Sequence, residues 1–312
     1  MEENMPKTSI GASIYTSVDT SIEAPINQDT KFWVALSRVP QLGIVRFRRL
    51  EAYFGKLENV WKASHKELKA AGLEDRPTQE ILAARNNSSP DDEMAALERA
   101  EVIAVTWNDS GYSARLKEIA YLPAVLSYKR ALLASDQQSV VIVGTRNPTT
   151  YGKEVTSLLS RGLVEAGLTV ISGLALGIDG VAHRTALENN GWTIAVIAGG
   201  LDRVYPEEHT GLFRQVQQYG AVVSEQALGV RPDAKSFPRR NHLISGLSIG
   251  SVVVEAAEGS WCPSYGLPRP GARPRSVLRT GKYFLSGQRF HQPDDQRRCQ
   301  TGDGNRPIYW KS

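Results

Sequence analysis

Short apolar runs alternate with amphipathic helices from residue 139 onward, and this pattern constrains the fold more than any other feature. The first run, Val140–Val143, is apolar at four successive positions, as is typical of a strand buried on both faces of a parallel sheet. Further strands are predicted at 168–171, 193–198, 221–224 and 251–254, with helices over 151–166, 178–190, from Pro206 and near 239–248. Strands separated by helices predict an α/β fold with a Rossmann-like, doubly wound, mostly parallel sheet.

The residues before this alternation have a different character. Residues 30–88 carry a helical pattern, including a capping box at Ser64-His65-Lys66-Glu67, and predict a small helical domain. Ser89 and Pro90 then open another helix as cap and first helical residue, and a strand is predicted over 102–107. We assign residues 89–258 to the Rossmann-like domain and residues 1–29, which have no periodicity, to a disordered lead.

The C-terminal segment has a composition of its own. Residues 259–312 carry ten Lys/Arg and three Asp, a net +7, whereas residues 1–258 carry 27 Lys/Arg and 30 Asp/Glu, a net −3. The segment has only five Ile, Leu and Val residues, together with six prolines and seven glycines. Such a composition offers little apolar surface to offset the entropy of folding, so an unstructured tail is predicted.

Several protein classes are excluded by simple features. No stretch of about 18 apolar residues exists to span a membrane, and the N-terminus has no basic and apolar signal segment. Two cysteines, Cys262 and Cys299, cannot supply a disulfide framework or a four-ligand zinc site. We therefore expect a cytoplasmic protein.

Four polar, glycine-rich or basic loops are predicted at the carboxyl edge of the sheet, where ligands bind in such folds. They cover residues 144–147, 173–180, 199–203 and 235–242. Glycines allow backbone N–H groups to approach an anion, and guanidinium groups suit phosphate oxygens. Phe237 stands among cations, as the aromatic residues that stack on single-stranded bases do.

Each of these features also has an ordinary structural interpretation. Glycine turns after strands are often simply tight turns, Arg239-Arg240 is consistent with a solvated face, and Phe237 before Pro238 is consistent with a core residue. The Gly-x-Ser-x-Gly pattern at 246–250 follows a helix and precedes a strand, so it is not a nucleophile elbow. No spacing singles out a catalytic pair among the four polar candidates Asp179, His183, Asp202 and Glu225.

These loops resemble those of the DNA-processing protein A family (DprA, also called Smf). The resemblance runs through residues 140–258, and it rests on Ile142-Val143-Gly144-Thr145-Arg146, Ser172-Gly173-Leu174-Ala175, Gly177-Ile178-Asp179, Gly200-Leu201-Asp202, Tyr205-Pro206 and Phe237-Pro238-Arg239-Arg240-Asn241. Residues 32–72 resemble the family's helical lead domain, which is related to helix–hairpin–helix and SAM-like modules.

The resemblance implies a DNA-binding role without catalysis, metal or cofactor. Members of the family bind single-stranded DNA, protect it, load the RecA recombinase during natural transformation, and act as homodimers. The predicted DNA- and phosphate-binding residues are Gly144, Thr145, Arg146, Gly173, Gly177, Lys235, Phe237, Arg239, Arg240 and Asn241. Two alternatives stay open: a nucleotide hydrolase of the phosphoribohydrolase type, and a nucleotide-binding module without a polymer partner.

The resemblance stops after about residue 259, and we interpret residues 259–312 as a frame-shifted reading. Synonymous codons for Pro268–Gly281 can be chosen so that a start one nucleotide later spells LDQGRDREVFCVPG, which resembles the family's missing strand and turn. Loss of that strand predicts an exposed edge at Ser251–Val254, low stability and weakened dimerisation.

Overall fold

A computed structural model of the chain describes residues 29–119, 121–130, 132, 136, 138–255 and 276–280. Apart from Asp29, the predicted lead at 1–29 therefore lies outside the described residues. None of the helices in these ranges has the length and apolar character needed to cross a bilayer.

Six helices precede the first strand, and five of them lie within residues 30–88, where the sequence has a helical pattern. They are α1 (Thr30–Ser37), α2 (Ile44–Phe54), α3 (Leu57–Lys62), α4 (His65–Ala70), α5 (Asp75–Asn87) and α6 (Pro90–Arg99). The capping box is confirmed, because the Ser64 side chain accepts from the Glu67 N–H while Glu67 accepts from the Ser64 N–H. The Ser89 hydroxyl likewise accepts from the Asp92 N–H at the start of α6.

The described strands form one mixed, mainly parallel sheet. They are β1 (Ile103–Thr106), β2 (Val125–Lys129), β3 (Ser139–Gly144), β4 (Thr169–Ser172), β5 (Thr193–Val196), β6 (Ala221–Ser224), β7 (Gly250–Val254) and β8 (Ser276–Thr280). Their order across the sheet is β1-β2-β6-β5-β4-β3-β7-β8. Strands β3 to β8 pair in parallel, whereas β1 and β2 add an antiparallel edge. Strand β2 is absent from the sequence prediction because its five residues lie outside the strand–helix alternation.

Helices cover both faces of the parallel strands, which confirms the doubly wound prediction. The connecting helices are α7 (Thr150–Glu165), α8 (Ile178–Glu188), α9 (Thr210–Tyr219) and α10 (Ser236–Leu247). Ile142 of β3 packs in a cluster with α7 and α8, while its neighbours Val141 and Val143 belong to the opposite cluster with α10. The apolar run is therefore continuous because each face of the strand has a helical cover.

The helical segment and the sheet share one buried core. Trp33 of α1, Phe47 of α2 and Trp107 after β1 form an aromatic trio, with ring centroids 5.1 to 6.1 Å apart. The same cluster continues into β2, β5 and β6. The domain boundary at residue 88 stays a prediction. Apolar side chains from before and after this residue pack in the same cluster.

Strand β8 lies in the segment whose composition predicts an unstructured tail. Ser276–Thr280 pairs with β7 along its whole length, so the expected exposed edge at Ser251–Val254 is covered in the described structure. An open strand edge presents unpaired N–H and C=O groups, and a neighbouring extended segment satisfies them. Otherwise the predicted tail lies outside the described residues, and the frame-shift interpretation stays a prediction.

Candidate functional site

A cavity at the carboxyl edge of the parallel strands collects the predicted loops. About 470 Å³ of space lies between its walls, and this volume includes open solvent at the mouth. Its lining residues come from the loops after β3, β4, β5 and β6 and from the start of α10: Arg146, Gly173, Ala175, Leu176, Ile197, Ala198, Gly199, Arg203, Tyr205, Pro206, Pro232, Phe237 and Arg240. Residues distant in sequence meet here because parallel strands all end at one edge.

Two guanidinium groups flank the half-buried ring of Phe237. The Cζ atoms of Arg146 and Arg240 lie 5.7 and 5.8 Å from its centroid, within cation–π range. Arg146 is exposed, whereas Arg240 is buried. The Phe237 ring therefore lies between the exposed Arg146 guanidinium and the buried Arg240 guanidinium.

Arg240 is an enclosed cation with few partners. Its Nη1 lies 3.8 Å from Asp179 Oδ2, and both its Nε and Nη1 are buried without a hydrogen-bond acceptor. Gly173 makes this position possible, because a β-carbon there would overlap the guanidinium. Because Arg240 also lines the cavity, its positive charge favours an anion there.

Asp179 holds the loop after β4 in shape. Its Oδ2 accepts from the N–H groups of Gly173 and Ala175 at 3.2 and 3.3 Å. Burial raises the pKa of Asp179, while the Arg240 guanidinium and these backbone donors act in the opposite direction. The carboxyl group thus fixes the glycine loop beneath the cavity and faces its buried cation.

The loop after β3 is fixed by backbone contacts. Gly177, at φ +80°, lets the Ile178 N–H donate to the Thr145 carbonyl at 3.1 Å. Gly144 packs so closely on β7 that a β-carbon would overlap the Val254 carbonyl. These two predicted glycines allow the backbone of the loop to pack closely against its neighbours. Arg146 is the residue of this loop that lines the cavity.

The N-terminus of α7, the first helix after the parallel strands begin, is occupied by a carboxylate of the protein itself. The carboxylate of Glu255, just after β7, accepts from the backbone N–H of Thr149 at 2.9 Å and from its hydroxyl. This position lies at the switch between β3 and β7, where a dinucleotide pyrophosphate sits in Rossmann enzymes. Glu255 therefore takes the place of such a phosphate.

The remaining predicted residues divide between the rim and the core. Lys235 and Arg239 are exposed at the start of α10, and neither lines the cavity. Asn241 is buried in the same helix. The geometry thus unites Arg146, Gly173, Phe237 and Arg240 at the cavity itself, with the other predicted residues around it.

Nine cavity-lining residues are absent from the predicted DNA-binding set, and two of them carry a charge or an exposed aromatic ring. Arg203 and Tyr205, in the loop after β5, line the cavity, and the side chain of Tyr205 is 51% exposed. The Tyr205 ring lies 6.0 Å from that of Phe237, at an angle of 59°. Tyr205-Pro206 is among the residues that carry the family resemblance, but only the tertiary structure shows that Tyr205 lies beside Phe237.

The four acid–base candidates do not assemble into one cluster. Asp179 and His183 are buried, Asp202 is exposed and accepts from the Gly229 N–H, and Glu225 lines a second cavity beside α1 and β2. Within the described ranges, no group of three His, Cys, Asp or Glu residues is arranged to hold a metal ion.

His183 is a core residue that makes stability sensitive to acid. The Thr193 hydroxyl donates to the Val170 carbonyl and so accepts from His183 Nδ1, 2.8 Å away. Burial, reinforced by the nearby His209, Arg184 and Arg240, lowers the pKa of His183 to about 3. In the unfolded chain the imidazole titrates near its ordinary value, so the unfolded state binds more protons between these two pH values.

We therefore expect the free energy of unfolding to fall as the pH drops below about 6.5, by up to about 1.4 kcal/mol per pH unit. The variant His183→Gln keeps a donor toward Thr193 and has no titrating ring. Urea unfolding from pH 7 to pH 4 should show a shallower loss of stability in this variant. Equal slopes in the two proteins would contradict the assignment.

Comparison with known proteins agrees with this fold. The profile of the family described as DNA recombination-mediator protein A matches residues 103–261. Protein Smf from Synechocystis is 38% identical over 235 residues, which are 74% of this chain and 59% of that protein. DNA processing protein DprA from Bacillus subtilis is 39% identical over 168 residues, 54% of this chain and 57% of that protein. The chain thus spans about three fifths of the length of these curated relatives.

The solved structures give the same grouping. The X-ray structure of DNA processing protein A from Streptococcus pneumoniae superposes with a TM-score of 0.64 at 27% identity, covering 83% of this chain and 88% of that one. DNA processing protein A from Helicobacter pylori shares the fold at a TM-score of 0.52 and 24% identity, covering 64% and 90%. The family profile covers half of the chain and includes every cavity-lining loop, so the chain belongs to the DNA recombination-mediator protein A family.

Proposed function

We propose that this chain binds single-stranded DNA in the carboxyl-edge cavity and delivers it to a RecA-type recombinase, as a binding protein without catalysis of its own. The observation that carries the proposal is the Phe237 ring flanked by Arg146 and Arg240. A stacking ring between two phosphate-binding groups matches the chemistry of a nucleic-acid strand.

The charges of the cavity favour a polyanion. Arg240 is enclosed with unsatisfied donors, and Arg146 and Arg203 lie at the rim of the same cavity. Lys235 and Arg239 extend the positive surface along the start of α10. Because residues 1–258 carry a net −3, this attraction is local to the site and does not come from a whole-domain field.

The aromatic component favours a single strand over a duplex. A base can stack on Phe237 only when its face is free, which a paired and stacked duplex does not allow. The structure of the Helicobacter pylori protein is described as revealing a single-stranded DNA binding mode of that protein. Its shared fold supports the same class of ligand here.

Replacing Arg146 by alanine should weaken single-strand binding about tenfold, as the loss of one charge-assisted contact does. The salt dependence should also become shallower by about 0.7, the contribution of one phosphate on a single strand. Fluorescence titration of a labelled oligothymidylate at several salt concentrations measures both quantities.

Arg161→Ala is the matched control, because Arg161 is equally exposed but lies three turns along α7. It should bind like the unmodified protein. Tight binding of a mononucleotide with a flat salt dependence, or turnover of nucleoside monophosphate, would favour the hydrolase or sensor alternatives and overturn the proposal.

Delivery to RecA completes the proposal and is carried over from the resemblance to the family, whereas the homodimer of the family is expected to be weakened here. Stimulation of RecA filament formation on single strands coated with a single-strand-binding protein tests delivery. Sedimentation of the full chain tests the dimer.

A further inference from the structure

We propose that Tyr205 and Arg203 form a second nucleotide subsite beside Phe237, so that the cavity takes two successive nucleotides of a strand. This inference rests on the proposed function and adds to it the neighbouring base and its phosphate. Neither residue belongs to the predicted DNA-binding set, and both line the same cavity as Arg146 and Arg240.

The ring of Tyr205 is held in place but left uncovered. It lies 6.0 Å from the Phe237 ring at 59°, so the two rings touch without stacking, and about half of the Tyr205 surface faces solvent. The adjacent Pro206 is buried and also lines the cavity. An aromatic face presented by an anchored residue beside another ring suits a second stacked base.

The loop that carries these residues is held by hydrogen bonds. The Gly200 N–H donates to the Val230 carbonyl at 2.9 Å, and the Arg203 N–H donates to the Gly200 carbonyl at 2.9 Å. The Asp202 side chain accepts from the Gly229 N–H at 2.8 Å. The loop after β5 is therefore tied to the segment that leads into α10, which fixes Tyr205 relative to Phe237 before any ligand binds.

Arg203 supplies the charge of the subsite. Its Nε lies 3.7 Å from Asp202 Oδ2, beyond hydrogen-bond distance, and its side chain is half exposed. An exposed ion pair of this length is weak, so the guanidinium can turn toward a phosphate at little cost. A base stacked on Tyr205 and a phosphate bound by Arg203 would belong to one nucleotide, the neighbour of the nucleotide at Phe237.

The test separates stacking from charge. We expect Tyr205→Ala to weaken binding of oligothymidylate about tenfold, a change that corresponds to about 1.4 kcal/mol and lies within the range for one base–aromatic stack. Its salt dependence should stay unchanged, because stacking neutralises no phosphate. Tyr205→Phe should bind like the unmodified protein, while Arg203→Gln should lower the salt dependence by about 0.7.

An abasic oligomer provides the decisive comparison. On a backbone without bases, the unmodified protein and Tyr205→Ala should bind equally, because no base remains to stack. Tyr219→Ala is the matched control, since Tyr219 is similarly exposed at the end of α9 and does not line the cavity.

The outcomes distinguish this inference from the proposed function. Failure of the unmodified protein to bind oligothymidylate would overturn both. Normal binding with no loss in Tyr205→Ala, an equal loss in Tyr219→Ala, a loss in Tyr205→Phe as large as in Tyr205→Ala, or an unchanged salt dependence in Arg203→Gln would overturn the second subsite alone.

Discussion

Replacing Arg240 by methionine is expected to reduce single-strand affinity about 30-fold or more, because truncating a buried, charged contact removes about 2–5 kcal/mol of binding free energy. Arg240 is the enclosed cation of the cavity, and two of its nitrogens have no acceptor within the protein. The same change should lower the free energy of unfolding by roughly 3 kcal/mol, since it leaves the buried Asp179 carboxylate without its opposite charge.

A second substitution separates binding from folding. In Asp179→Asn combined with Arg240→Met, both charges are gone, so stability should return to near that of the unmodified protein while DNA binding stays lost. In the single variant the loss of stability should shrink as the pH falls, because a protonated Asp179 needs no cationic partner. Urea unfolding and oligothymidylate titration measure the two effects. Unchanged affinity in the double variant would remove Arg240 from the DNA site.

Gly177→Ala is expected to destabilise the protein by about 2 kcal/mol or more. Gly177 has φ +80°, a conformation that L-residues rarely adopt, and it caps the start of α8. An added β-carbon would overlap the backbone carbonyls of Thr145 and Arg146, which cannot rotate away as a side chain could. The displaced loop carries Arg146, so single-strand affinity should fall together with stability.

Gly162→Ala is the matched control for this prediction. Gly162 lies inside α7, and a β-carbon there meets no atom within 4 Å. Alanine favours the helix over glycine, so this variant should gain about 0.5–1 kcal/mol of stability. Thermal unfolding of the two variants gives the comparison, and a Gly177→Ala melting temperature equal to that of the unmodified protein would contradict the argument.

Local patterns were sufficient to predict most of the parallel sheet. Ile142 and its neighbours in β3 predict a two-sided buried strand, and the capping residues Ser64 and Ser89 mark real helix starts. These signals are reliable because they depend on a few adjacent residues. Strand β2 escaped prediction because it lies outside the strand–helix alternation, and no local pattern connects it to its pairing partners β1 and β6.

The amino-acid sequence by itself determined that glycine-rich and basic loops would follow successive parallel strands, because the strand–helix alternation places all such loops at one edge. Tertiary structure alone decided what each residue does there. Arg239 and Arg240 are adjacent and chemically identical, yet helix α10 turns one to solvent and the other beneath Phe237, against Gly173 and Asp179. Burial and partner geometry depend on residues more than fifty positions away, and no local pattern contains them.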